Sequence, residues 1–205
     1  SLTVYPWRTD MNETNQTDRF APLFAELDRR LAGEAPVRLA IEGGSASGKT
    51  TLGKILAERY DCTVFHMDDF FLRSEQRTAA RFAEPGGNVD RERFLAEVLL
   101  PLRRGEKVFY RRFDCASMQL QNAVETAPKK FVVAEGAYSM HPELAPYYDI
   151  SVFLDISPEL QRERISRRNT PEKANRFFAE WIPMEQAYFA ALDIPAKCTL
   201  RLPIL

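Results

Sequence analysis

A chain of 205 residues with 45% hydrophobic and 28% charged composition describes an ordinary folded protein and excludes a disordered or fibrous one. Lys plus Arg stand at 28 against 29 Asp plus Glu, so no overall field points to nucleic acid or an anionic membrane as a partner, and any basic site must be local. The three cysteines, Cys62, Cys115 and Cys198, are odd in number and lack C-x-x-C spacing, which predicts reduced thiols in a cytoplasmic protein.

In chain order, residues 1–17 read as a loose polar arm, and residues 18–205 as a single domain. Phe20, Leu23, Phe24, Leu27 and Leu31 then recur at helical spacing. Val37 to Ile41 is a short apolar run that ends in a glycine-rich turn, and Thr51 to Tyr60 has helical composition. Strands are predicted over Cys62–Met67, Lys107–Arg111, Lys130–Ala134 and Ile150–Ile156, with a helix over Arg91–Leu102 between the first two. Ser157 and Pro158 open the next helix as cap and first-turn proline. A last helix is expected from Glu172 to Leu192, bent near Pro183, before a terminal strand at Cys198–Leu202. Strands alternating with helices predict an α/β fold with a mainly parallel sheet covered by helices on both faces. No run nears the roughly 18 apolar residues of a membrane span.

The chemistry concentrates at Gly43-Gly44-Ser45-Ala46-Ser47-Gly48-Lys49-Thr50, which fits G-x-x-x-x-G-K-[ST] without a gap and lies between a predicted strand and helix. Glycines let successive N–H groups wrap an anion at a helix amino terminus, Lys49 reaches the outer phosphates, and Thr50 is placed to ligand magnesium. Gly43 to Thr51 are therefore assigned to the nucleotide. A phosphate loop alone does not choose among GTPases, ATP-driven machines and small-molecule kinases. N-K-x-D, D-x-x-G and L-S-G-G-Q segments are all absent. Asp68 and Asp69, by contrast, end the second predicted strand about twenty residues after Lys49, where a carboxylate can accept a hydroxyl proton or organise a metal. Glu135 follows another predicted strand as a second metal candidate. Arg164, Arg167 and Arg168 share a helix face suited to phosphates, part of a short lid expected over residues 162–175; a solvated basic face is the plain alternative. His66 and His141 are given no catalytic role, and Trp181, Tyr188 and Phe189 read as core rather than base-stacking residues.

These motifs resemble the uridine kinase family of P-loop kinases, relatives of phosphoribulokinase and bacterial pantothenate kinase, from about Val37 to Leu202. Beyond Gly43–Thr50, the Met67-Asp68-Asp69-Phe70-Phe71 segment is similar to the family's x-D-S-F-Y, and Asn88-Val89-Asp90 to its N-F-D. Phe113-Asp114 is similar to its Y-D, Glu135-Gly136 to its E-G, and Arg164 to Arg168 to its R-L-x-R-R. The resemblance implies a three-layer P-loop NTPase fold, with ATP and Mg2+ as cofactors and a small-molecule acceptor, a nucleoside such as uridine or cytidine first. It implies Asp68 as base, Lys49, Glu135, Arg164 and Arg168 as further catalytic groups, Arg167 on the phosphates, and Thr50, Asp68 and Glu135 at the metal. The acceptor would meet Asp68, Phe71, Asp90, Phe113 and Met118; a homo-oligomer is allowed. Phe113 and Met118 stand where uridine kinases carry a tyrosine and a histidine. Two alternatives therefore remain at this point: a kinase for pantothenate, a sugar or another vitamin-like alcohol, and a nucleotide-dependent ATPase switch that binds a protein.

Overall fold

A computed structural model describes residues 10–205, with side chains described from Asp18 onward. The first helix, α1 (Asp10–Leu31), starts inside the stretch expected as a loose arm, and residues 1–9 lie outside the described residues. A helix anchored by the buried stripe Phe20, Leu23, Phe24 and Leu27 propagates into polar sequence at little cost, which periodicity in that sequence cannot reveal.

Five parallel strands make the main sheet: β1 (Val37–Gly43), β2 (Cys62–His66), β5 (Phe131–Glu135), β6 (Ile150–Ile156) and β7 (Leu200–Ile204), in the order β2-β5-β1-β6-β7. β1 is central, pairing with β5 from Val37↔Phe131 to Ile41↔Glu135 and with β6 from Leu39↔Ile150 to Gly43↔Leu154. That register brings Glu135 to the edge at which the phosphate loop leaves β1. Successive side chains of a strand face opposite ways, so β1 divides the interior in two. Leu39 and Ile41 pack with α1 and with Leu52 and Leu56 of α2 (Lys49–Arg59). Ala40 packs on the other face with Phe65, Phe70, Phe94, Tyr188 and Phe189, each buried aromatic contributing about 1.5–3 kcal/mol. Helices thus cover both faces, as a parallel sheet requires.

After β2 come a 3-10 turn (Met67–Phe70), the short helix α3 (Ala79–Ala83), and a longer helical run, α4 (Arg91–Phe94) and α5 (Leu100–Arg103), joined by a π-helical turn over Leu95–Leu99. β3 (Val108–Asp114) then pairs antiparallel with β4 (Gln119–Thr126) as a separate hairpin. Sequence patterning finds β3 but not β4, whose residues are mostly exposed and so carry little apolar alternation.

α6 (Pro158–Arg168) begins as expected: the Ser157 side chain accepts from Leu160 N at 3.2 Å, a cap worth about 1 kcal/mol. α6 and α7 (Pro171–Arg176) meet at Asn169 and Thr170. Asn169 Nδ2 donates to Ile165 O and Thr170 caps α7, so the expected lid segment consists of two capped helices and a tight corner. A π-helical turn at Phe177–Trp181 precedes α8 (Ile182–Ala191). The irregularity falls upstream of Pro183 because a proline in the second helical position removes a donor from the preceding turn. α9 (Ile194–Lys197) leads into β7. Among the described residues, no helix is long and apolar enough to cross a membrane.

Candidate active site

The phosphate loop is held from several sides. Gly43 has φ +153°, and a Cβ there would stand 2.8 Å from Leu154 O, so glycine is what allows the chain to leave β1 beside β6. Both carboxylate oxygens of Glu185 on α8 engage Ser45, accepting from its N–H at 2.9 Å and its Oγ at 2.8 Å. Gln161 Nε2 donates to Ser45 O at 2.8 Å, Arg164 Nη1 donates to Ala46 O at 3.0 Å, and Lys49 Nζ donates to Gly44 O at 2.8 Å. Burial raises the Glu185 pKa against the pull of Lys49 and Ser45. Ser47 and Gly48 complete the loop, and Gly48, in the left-handed region, caps α2, whose first residues are Lys49, Thr50 and Thr51.

Beneath the loop, Glu42 is fully buried. It accepts four hydrogen bonds of 3.0 Å, from Gly43 N, Tyr138 N, Met140 N and Tyr188 Oη. One carboxylate thereby joins β1, the turn after β5 and α8. Burial pushes its pKa up to about 7, opposed by the backbone donors, Lys49 and the tyrosine.

At the carboxyl edge of the sheet, Thr50 Oγ1 donates to Glu135 Oε1 at 3.2 Å, and His66 Nδ1 lies 2.5 Å from the same oxygen. That contact raises the His66 pKa. Asp68 is accessible from the crevice, yet the protein crowding it excludes much of the bulk water. Its pKa is raised first by this burial, then by the charges of Glu135 and Asp69, while Lys49 and His66 pull it down. Glu135 is buried, and the Gly136 that follows lets the chain pass under Met67, where a Cβ would come within 2.5 Å of the Met67 Cβ. A threonine hydroxyl beside carboxylate oxygens is a hard donor set that suits magnesium. Among the described residues, no group of three or more His, Cys, Asp or Glu forms a metal cage. Magnesium bound here would complete its shell with phosphate and water, its usual habit in phosphoryl-transfer sites.

Farther out, Asp90 is wholly buried. One oxygen caps α4 by accepting from Arg93 N at 3.2 Å; the other has no hydrogen bond, with Arg73 Nε 3.4 Å away as an ion partner. Asp69 pairs with Arg112 at 3.5 Å. Phe71 bridges Val89 as a half-buried residue, Phe113 is buried in β3 under the Arg77 guanidinium at 5.8 Å, and Met118 takes φ +57° in the hairpin turn.

The structure thus brings Lys49, Thr50, Asp68, Glu135 and Arg164 together. Arg167 is exposed and paired with Glu163, and Arg168 is exposed; neither has a hydrogen bond to the loop. Tyr188 and Phe189 are buried in the core, whereas Trp181 packs against Phe177 and Arg176 at the surface. Sequence reasoning missed Glu42, Gln161 and Glu185. Glu42 left a signal, a lone charge closing the apolar run before Gly43; Gln161 and Glu185 left none, because their contacts span 116 and 140 residues.

A gap-free phosphate loop on the central strand of a five-stranded parallel sheet, with acids from neighbouring elements around it, is the arrangement of a P-loop nucleotide-binding fold. A family model described as Shikimate kinase matches residues 45–102, the stretch from the loop through the acidic turn to α5. A uridine kinase of Clostridium perfringens is 24% identical over 143 residues, which cover 65% of this chain and 66% of that relative, just under two thirds of its length. One from Oceanobacillus iheyensis is 25% identical over 68% of this chain and 70% of its own length. Among solved structures, a "possible uridine kinase" from Bacillus stearothermophilus superimposes with a TM-score of 0.70 at 20% identity, over 92% of this chain and 99% of that one. A kinase attributed to a fructose transport system of Silicibacter sp. TM1040 gives 0.67 at 23% identity, over 83% and 91%. The chain is thus similar in sequence to uridine kinases and shares its fold with solved kinases of the P-loop type.

Proposed function

We propose that this chain transfers the terminal phosphoryl group of ATP to a hydroxyl of a small polyhydroxylated acceptor, with ribose-bearing compounds such as uridine and cytidine the first to test. The observation that carries the reading is the convergence of Asp68, Lys49 and the Thr50–Glu135 pair beside the phosphate loop. The choice of nucleosides rests on the names of the sequence relatives.

In the reaction the acceptor oxygen forms a bond to the γ-phosphorus while the bond from that phosphorus to the bridging oxygen breaks, leaving ADP. Asp68 takes the proton of the attacking hydroxyl and later yields it to water. Burial and the neighbouring carboxylates raise its pKa, which makes it a stronger base than an ordinary aspartate. Lys49 and Arg164 neutralise charge on the phosphates, and the loop N–H groups hold them in line. Bound magnesium, held by Thr50 and by Glu135 or Asp68, would supply further neutralisation of phosphate charge. Asp90, with an oxygen free of hydrogen bonds, is suited to accept from an acceptor hydroxyl.

The test is a coupled ADP-release assay with MgATP and uridine, cytidine and simple polyols, with mass spectrometry of each product. A product heavier by one phosphate is expected. ADP formation without a phosphorylated acceptor would replace this reading with an ATPase.

A further inference from the structure

The last residues of β2 and β5 are His66 and Glu135, register partners in neighbouring parallel strands. Partners at one level of a sheet point to the same face. Phe131 and Val133, on that same face of β5, pack with Leu52 and Leu56 of α2, so His66 and Glu135 both reach the α2 side of the sheet's carboxyl edge. There α2 comes close because Gly53 has no side chain: a Cβ would stand 3.3 Å from Val64 Cγ1 and 3.7 Å from Glu135 Cγ. One turn earlier on the helix, Thr50 meets the same carboxylate.

Both hydrogen bonds to that carboxylate fall on one oxygen. Glu135 Oε1 takes the Thr50 hydroxyl at 3.2 Å and the His66 ring at 2.5 Å, and among the described residues no hydrogen bond reaches Oε2. An ionised carboxylate only accepts, so His66 donates through Nδ1–H and Thr50 through its single O–H. The threonine proton is thereby spent on Glu135, and the lone pairs of Oγ1 remain for a hard cation. A glutamate side chain has rotamer freedom that must be fixed before it can serve as a ligand. Of its two anchors, Thr50 is itself a candidate ligand and His66 is not.

We infer that His66 is a positioning residue for magnesium: by holding Oε1 it sets which oxygen of Glu135 meets Thr50 and which is left for the metal's shell. Removing an outer partner of this kind changes metal affinity about 10- to 100-fold. The plain alternative is that the pair only pins two strand ends, which would alter stability and leave metal affinity alone. The inference rests on the assignment of Thr50 and Glu135 to magnesium, and the acceptor does not enter it.

The test is binding rather than turnover. A fluorescent, non-hydrolysable ATP analogue is titrated into the full chain with EDTA and again with excess Mg2+, and the ratio of the two Kd values measures how far protein and metal support each other. His66→Ala is expected to cut that ratio about tenfold or more while Kd in EDTA stays within about twofold of wild type. Asparagine places an N–H near the position of Nδ1 and glutamine near that of Nε2, so His66→Asn should keep most of the ratio and His66→Gln should lose it. A ratio unmoved in a folded His66→Ala protein would overturn the inference. Equal ratios in the asparagine and glutamine variants would overturn it too, and that pair decides the matter if the alanine protein does not fold. A wild type whose nucleotide affinity ignores Mg2+ would overturn it together with the metal assignment. The expected pattern in a protein that forms no phosphorylated product would support the role of His66 while sinking the kinase reading.

Discussion

The two halves of the site are built differently. On the donor side, eight consecutive residues form the cradle, and side chains from α6 and α8 brace its backbone at Ser45 and Ala46. On the proposed acceptor side, Asp68, Asp90, Phe113 and Met118 come from a 3-10 turn, a helix cap, a strand and a hairpin turn, with Arg73 paired to Asp90 and Arg112 to Asp69. A phosphate is the same in every nucleotide, so a contiguous backbone motif can serve it. The acceptor differs from enzyme to enzyme, and loops on a fixed scaffold are where such variation is tolerated.

Substitutions at the chemical centre would sharpen that contrast most. Lys49→Ala should lower kcat/KM about a thousandfold or more, near 4 kcal/mol of transition-state stabilisation, with weakened nucleotide binding by fluorescence titration. Asp68→Asn should lower kcat by roughly 100- to 10,000-fold while nucleotide affinity stays close to wild type. Loss of nucleotide binding in a folded Asp68→Asn protein would place that residue on the donor side and break the division. With Asp68 as the proposed base, the wild-type rate should fall as pH drops through its raised pKa, at higher pH than an ordinary aspartate would give.

Glu42 ties the strand that carries the phosphate loop to the turn after β5 and to α8. Glu42→Ala would leave three backbone N–H groups and the Tyr188 hydroxyl without their buried acceptor, a loss of about 3–5 kcal/mol on denaturant unfolding. Its pH signature follows from linkage. The folded-state pKa, about 7, lies above the 4.5 of an exposed glutamate, so the folded protein holds more protons between those values and stability falls as pH rises. The contribution is complete below the unfolded value and lost once pH passes about 7, a span of about 3 kcal/mol. Glu42→Gln should flatten that slope in unfolding midpoints from pH 5 to 8; an unchanged slope would assign the pH dependence to other groups.

Bracing of the loop should matter less than its chemistry. Glu185→Ala frees Ser45, and the expected result is a KM for ATP raised about tenfold with kcat within a few-fold, near 1.4 kcal/mol. A kcat loss as large as that of Asp68→Asn would make Glu185 part of the reaction rather than a brace. Smallest of all, Arg167→Ala removes an exposed pair with Glu163 and should change stability by no more than about 0.5 kcal/mol in thermal melts. A large activity loss there would mean that α6 swings Arg167 onto the phosphates during turnover.

Read from the chain alone, the phosphate loop, the burial of β1, β5 and β6, the cap at Ser157 and the strand-end positions of Asp68 and Glu135 were legible. Each depends on local chemistry: a glycine-rich turn before a helix, a continuous apolar run, a hydroxyl before a first-turn proline, a carboxylate ending a strand. β4 was not legible because its residues stay in water, and the start of α1 was not because helix propagation leaves no apolar period.

What only the tertiary structure decided are the partnerships across sequence distance. Glu185 on Ser45, Gln161 on the same residue, Tyr188 on Glu42 and Arg77 over Phe113 all depend on strand order and on which faces the helices cover. A single sequence records the residue types that such contacts need. It does not record which of them meet, because that is set by chain topology and by the burial that makes a lone carboxylate or guanidinium seek a partner.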